Sequence, residues 1–256
     1  MNHSELSLVE IAAREGLKAA IQGWEKVGHL IRANEMFESM GMESYAADSA
    51  IPGHPFVEPG NPKVDEFVAL VVDMRKSSAR LKTHLSGTKV KSGFQRIYYE
   101  TSALLPALAQ TALFKNGHVT EYLGDGVLIL FKVDTDNRVQ SVKDAYNVAA
   151  NCVKTTRNIV NDLIREQLDL PPLDIGAGLS MSQALVTMVG LPPNQQPKAV
   201  GTCVWEASKL SDGTNQVNVA KTLYDAWPSE KGGTLRFEPL KSLKHNVEGF
   251  KVVAGS

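Results

Sequence analysis

The sequence predicts an α+β fold: one sheet carrying long helices, preceded by an N-terminal helical segment. Three observations carry that expectation. Phe67–Val72 is an almost continuous apolar run, the pattern of a strand buried on both faces. Gly124-Asp125-Gly126 joins the short apolar stretches 118–123 and 127–131, and Asp-Gly tolerates the positive φ that a tight hairpin needs. Residues 136–168 are amphipathic, with Val139, Val142, Ala145, Val148, Ala149, Val153, Ile159, Val160 and Leu163 on one helical face.

Taken in order, residues 5–40 read as helical, because Leu8, Ile11, Ala12, Leu17, Ile21 and Trp24 recur at roughly helical spacing. One or two helices are expected over residues 1–45, packing on the domain or on a partner chain. Residues 46–64 read as a linker, since four Pro and two Gly fall within 46–63. A domain spanning 65–256 follows. Its first strand ends in Asp73, and a helix over 94–116 stops at Asn116-Gly117, a good C-terminal signal. After the hairpin and the 136–168 helix, 173–181 and 184–190 read as a strand pair, and 199–210 contain a short helix. The order is that of a ferredoxin-like βαββαβ sheet with helices on one face.

Composition narrows the function. The chain has 256 residues, enough for one sizeable domain plus an appendage, and 27 Lys and Arg balance 28 Asp and Glu. The overall field therefore attracts neither nucleic acid nor any other particular partner. No apolar run approaches the ~20 residues of a spanning helix. The N-terminus MNHSELSLVE lacks the basic and apolar regions of a secretory signal. Cys152 and Cys203 have no CxxC or Cys/His neighbourhood, so neither a disulfide framework nor a zinc site is expected. These features point to a cytoplasmic protein.

Two acids then stand out. In a split βαβ arrangement the first strand and the hairpin lie side by side, so Asp73 and Asp125 would converge. Hard cations such as Mg²⁺ or Mn²⁺ take carboxylate and phosphate oxygens, and a pair of them can activate an attacking oxygen while neutralising a leaving phosphate. Each acid also has a bland explanation, as the start of a turn or as part of an Asp-Gly hairpin. From Met74 to Tyr99 no acid occurs, while Arg75, Lys76, Arg80, Lys82, Lys89, Lys91 and Arg96 are basic. Ser77 and Ser78 fall where N–H groups at a helix start meet phosphate oxygens. Such a run suits a triphosphate, a nucleic-acid backbone or a solvated face. There is no Walker A motif.

With these motifs in place, residues 65–253 resemble the class III adenylate/guanylate cyclase catalytic domain. VALVVDMRKSS is similar to the first metal strand, EYLGDGVLILF to the metal hairpin, DIGAGLSMSQALVTMVG to the following strands, and AVGTCVWEASKL to the segment bearing base- and transition-state-binding residues. The resemblance implies two divalent cations, Mg or Mn, held by Asp73, Asp125 and the Met74 carbonyl. It also implies a nucleoside triphosphate substrate and a homodimer with composite sites, the metal residues of one protomer facing Lys198, Trp205 and Lys209 of the other. Where the family commonly has a catalytic Asn and Arg, this chain has Trp205 and Lys209. Lys209 keeps a positive charge without the guanidinium fork, and Trp205 reads as a packing or dimer-contact residue.

Adenine-reading members place a Lys three residues before the hairpin Gly and an acidic or hydroxyl residue in the later segment. Here Glu121 and Lys198 occupy those places, with the charge order reversed. Uracil's N3–H and O4 match such a pair, as do the N4 amino group and N3 of cytosine, and guanylate cyclases also have Glu at the first place. Tyr122 is the aromatic residue nearest that pocket. The chain looks most like the pyrimidine cyclases of Pycsar anti-phage defence, in which a cyclic pyrimidine nucleotide activates a separate effector. The rivals are a palm-like polymerase or a diguanylate cyclase, the latter disfavoured by the lack of a GG[DE]EF hairpin, and a catalytically inactive cyclase-like module.

Overall fold

The computed structural model describes residues 1–27, 47–83, 86–228, 233–240 and 246–254. Helix α1 (His3–Val27) opens the chain; the remainder of the 5–40 stretch expected to be helical lies outside the described residues. The span expected as a linker holds two short antiparallel strands, β1 (Ala47–Asp48) and β2 (Phe56–Val57), and buries Ile51 and Val57. Next come β3 (Lys63–Met74), α2 (Ser77–Lys82), α3 (Gly93–Leu113) and the hairpin β4 (His118–Tyr122) and β5 (Gly126–Lys132). Helix α4 (Arg138–Asn151) runs through a π-helical turn at Cys152–Thr156 into α5 (Arg157–Leu168). The chain continues with β6 (Ile175–Val189), β7 (Gln196–Gly201), α6 (Thr202–Leu210), β8 (Val217–Ala220), α7 (Lys221–Asp225), β9 (Leu235–Pro239) and β10 (Gly249–Ala254).

One expectation needs correction. Residues 173–181 and 184–190 do not form a strand pair; they are one strand, β6, whose antiparallel partner is β7. Ser182-Gln183 offers no Gly, Pro or Asn to reverse the chain, whereas Gly190-Leu191-Pro192-Pro193-Asn194 does.

The main sheet runs β4-β5-β3-β6-β8-β10-β9, with β7 alongside the far half of β6. Its first four strands have the expected ferredoxin-like order, and β3 pairs with β5 and β6 along most of its length. The alternation in β3 is then legible: Val68, Leu70 and Val72 join the core beneath α3, α4 and α5, while Phe67, Ala69 and Val71 join a second core with Ile51, Leu128, Leu130, Cys203 and Ala207. Helix α6 therefore covers the opposite face, and the helices are not confined to one side. Fully burying such side chains stabilises the fold by about 1.5–3 kcal/mol each.

Helix α1 packs on α3 through the small stripe Val9, Ala13, Leu17 and Ala20, and Leu8 and Ile11 remain exposed. A Cβ on Gly16 would lie 2.0 Å from the Ser102 carbonyl oxygen, so the two helices approach closely because Gly16 has none. Trp24 closes the far end against Phe94, Tyr98 and Tyr99.

The basic run after Asp73 is partly structural. Glu100 is fully buried in α3; it accepts hydrogen bonds from Arg80 Nε at 2.9 Å and Nη2 at 2.6 Å, and from Arg96 Nε at 2.8 Å. Arg80 also donates to the Pro171 and Pro172 carbonyls. Removing one partner of a buried charge network costs about 3–5 kcal/mol. Glu100→Ala should therefore lower the unfolding free energy by that amount in urea titration. A loss below about 1 kcal/mol, as for a solvated pair, would contradict the network.

Candidate active site

The site begins where burial of β3 gives out. Asp73 is opposite Gly126 in the β3–β5 ladder, so Asp125 sits one residue beyond the first rung. The Met74 N–H donates to the Asp125 carbonyl at 3.1 Å, tying the strand end to the hairpin turn. Gly124 takes the positive φ of +85° that the turn requires. Gly126 is needed for a different reason: a Cβ there would lie 2.5 Å from the Val72 carbonyl oxygen and 2.9 Å from Asp73 Oδ1. The hairpin is thus pressed against the acid that closes β3.

The two carboxyls interact directly, and Arg75 forms an ion pair with Asp73 Oδ2. Burial, then the Asp125 charge, push the Asp73 carboxyl up to about 6, with Arg75 pulling against them. Paired carboxylates whose ionisation is opposed form a natural cation site. Mg²⁺ usually takes one or two carboxylates and completes its shell with substrate phosphates and water. Asp73, Asp125 and the adjacent Met74 backbone fit that requirement. Among the described residues no cluster of three His, Cys, Asp or Glu side chains forms an all-protein metal cage.

The other candidate residues occupy three neighbourhoods. Lys76 is exposed in left-handed backbone (φ 59°) and leads into α2, where Ser77 is half-buried and Ser78 exposed. Trp205 and Lys209 lie one turn apart on α6, Trp205 exposed and Lys209 half-buried. Among the described residues, no hydrogen bond or ion pair joins Lys209 to the carboxylate pair. Tyr122, at the end of β4, is exposed.

Glu121 and Lys198 form an ion pair at 2.8 Å within one chain, so Lys198 reaches the hairpin strand of its own protomer and not only that of a partner, as the composite arrangement implied, although the ladder alone would separate the two widely. Glu121 is opposite Leu128, Leu128 opposite Val71, and Val71 opposite Gly178. Lys198 pairs with Thr187, nine residues further along β6, or about 30 Å in a flat sheet. The β6–β7 arm must therefore curl back over the second face. Ala184, Val186, Met188 and Ala199 are buried there with Phe67, Ala69 and Leu130.

Two features escaped sequence reasoning. Arg75 was visible within the basic run, but its ion pair with Asp73 was not. Glu206, beside Trp205, accepts a hydrogen bond from the buried Ser180 hydroxyl at 2.6 Å and so fixes α6 to β6. The only local signal was a serine in an apolar strand.

No protein-family profile and no curated protein matches the sequence. Solved structures do match the fold. The adenylyl cyclase CyaB from P. aeruginosa is 14% identical, with a TM-score of 0.62 over 77% of this chain and 97% of that one. The guanylyl cyclase Cya2 is 18% identical, with a TM-score of 0.59 over 77% of this chain and 95% of that one. This chain has the class III cyclase fold. A class III adenylyl cyclase-like ATP-binding protein from Pseudomonas aeruginosa is 19% identical, with a TM-score of 0.59 over 82% of this chain and 44% of that one.

The raised Asp73 carboxyl has a consequence for stability. The folded state holds this proton more tightly than the unfolded chain, whose ordinary value is 3.8. Ionisation therefore opposes folding, and stability falls as pH rises from about 4 through 6. In metal-free protein Asp73→Asn should add about 1–2 kcal/mol at pH 8, discounted for partial exposure, with the gain vanishing near pH 4. Urea midpoints at the two pH values test this, and a loss at pH 8 would sink the charge-pair account.

Proposed function

We propose that this protein is a metal-dependent nucleotide cyclase that converts a pyrimidine nucleoside triphosphate, UTP in preference, to its 3′,5′-cyclic monophosphate and pyrophosphate. The observation that carries the reading is the convergence of Asp73 and Asp125 at the β3–β5 end of a class III cyclase fold. The substrate's 3′-oxygen attacks its own α-phosphorus and pyrophosphate departs, so the protein's task is positioning and charge neutralisation. Asp73, Asp125 and the Met74 carbonyl would hold two Mg or Mn ions, which when bound activate the attacking oxygen and screen the phosphates.

The chain's own groups do the rest. Lys76, Ser77 and Ser78 follow Asp73 directly and face the phosphates. Lys209, contributed across a homodimer, supplies a point charge to the transferring phosphoryl. Glu121 accepts the uracil N3–H while Lys198 donates to O4, with Tyr122 at the edge of the base. Their proximity within one chain supports a joint reading of the base. In cytosine the N4 amino group would meet Glu121 and N3 would meet Lys198, and a guanine substrate would also use Glu121. The cyclic product would act as a second messenger on a separate effector in anti-phage defence, which rests on the resemblance to pyrimidine cyclases. The domain division proposed is a helical segment to residue 45, a connection over 46–64 and a catalytic unit over 65–256.

A second reading is a cyclase-like module that binds nucleotide without turnover. Trp205 and Lys209, in place of the family's usual Asn and Arg, favour it, as does the likeness to a cyclase-like protein described as ATP-binding.

Purified protein incubated separately with four NTPs and Mn²⁺ should release cyclic UMP from UTP. A dinucleotide product, or nucleotide binding without any product, would refute the proposal. Asp73→Ala and Asp125→Ala should each reduce turnover by about 10²–10³-fold with the circular dichroism spectrum retained. Lys198→Ala should lower kcat/KM for UTP by roughly 10–100-fold. An equal loss for all four NTPs would remove Lys198 from base recognition.

A further inference from the structure

One of the two carboxylate oxygens that Asp73 could offer a cation is already taken. Arg75 places its Nη2 on Asp73 Oδ2 and directs Nε to the Asp73 carbonyl at 3.4 Å. Oδ1 faces the hairpin, where a Cβ on Gly126 would come within 2.9 Å of it. The side away from the hairpin is therefore the one Arg75 fills. Its side chain is 15% exposed and curled back over its own strand end. Its backbone N–H is pinned to the Asp174 carbonyl at 2.8 Å. Only the side chain has to swing for Oδ2 to open.

Arg75 is also distinct from the other arginines of the basic run. Arg80 and Arg96 are held by Glu100, and Lys89 is turned to Asp169 at 3.4 Å and the Gln167 carbonyl at 3.0 Å. A guanidinium and a divalent ion on the same carboxylate repel each other, so each weakens the other's hold on Asp73. The guanidinium fork, once released, matches phosphate oxygens better than any other side chain.

We propose that Arg75 is a charge-coupling, positioning residue: it neutralises Asp73 until a divalent cation displaces it, and then turns to the substrate's phosphates. This rests on the metal-pair reading of Asp73 and Asp125. It makes cation entry and phosphate capture a single linked event, and it gives Arg75 opposite effects on the two ligands.

The full chain is titrated with Mn²⁺ alone, followed by electron paramagnetic resonance of the free ion, and with preformed Mn²⁺–tripolyphosphate, followed by calorimetry. Arg75→Gln should bind Mn²⁺ about tenfold more tightly and Mn²⁺–tripolyphosphate about tenfold more weakly than the natural chain. Arg75→Lys, which keeps the charge and loses the fork, should restore the Mn²⁺ affinity and only part of the tripolyphosphate affinity. A merely structural arginine would move both affinities the same way. That outcome, or no change in either, overturns the proposal. If Asp73→Asn still abolishes Mn²⁺ binding in that case, the metal pair stands without it. If Asp73→Asn binds Mn²⁺ as the natural chain does, the metal pair falls and the coupling falls with it.

Discussion

Strand β3 is held from four directions, by β5 and β6 in the sheet and by a core on each face. A slip of one residue would exchange the side chains of the two cores, and close-packed interiors do not accept such an exchange of volumes. The register is thereby fixed by side-chain packing as well as by the ladder hydrogen bonds. Asp73 interrupts this buried run, between Val72 and Met74 of the core, at the point where the strand meets the hairpin turn. A carboxylate at such a point has a defined position and a partly desolvated environment together, which makes it reluctant to hold a bare charge.

The charges around this point fall into three groups. The deepest acid, Glu100, is matched by two guanidiniums and serves to join α2, α3 and the segment leading into β6. Of the shallower acids, Asp73 is paired with Arg75 and lies against Asp125, so the pair keeps an excess of negative charge. Glu121 and Lys198, about as exposed as Asp73, satisfy one another. The basic stretch read as one feature in the sequence is thus divided among separate tasks, and only Arg75 stands at the carboxylate pair.

Local patterns account for what was legible beforehand. The apolar run of β3, the Asp-Gly turn and the long amphipathic helix are properties of neighbouring residues, so they locate Asp73 and Asp125 from sequence. Polar Ser182 and Gln183 interrupt the apolar pattern of β6, but neither residue reverses a chain, so one strand runs through them. Helix α6 on the second face, the Arg80–Glu100–Arg96 network and the ion pair of Arg75 with Asp73 depend on tertiary packing. No periodicity announces them. The small stripe of α1 shows the same limit: Leu8 and Ile11 have the right spacing for a core, but the close approach at Gly16 selects Val9 and Ala13 instead.

The curled β6–β7 arm gives the molecule a vulnerable order of disassembly. Glu121 and Lys198 meet only because that arm lies folded across the second face, and its cover is a thin layer of Ala184, Val186, Met188 and Ala199. Sub-global opening releases the least buried units first. Lifting the arm would part Glu121 from Lys198 while β3, β5 and the carboxylates of Asp73 and Asp125 stayed in place. Heat or mild denaturant would then part this ion pair before it disturbed the junction of β3 with the hairpin, leaving a protein that has lost one surface contact but kept its scaffold.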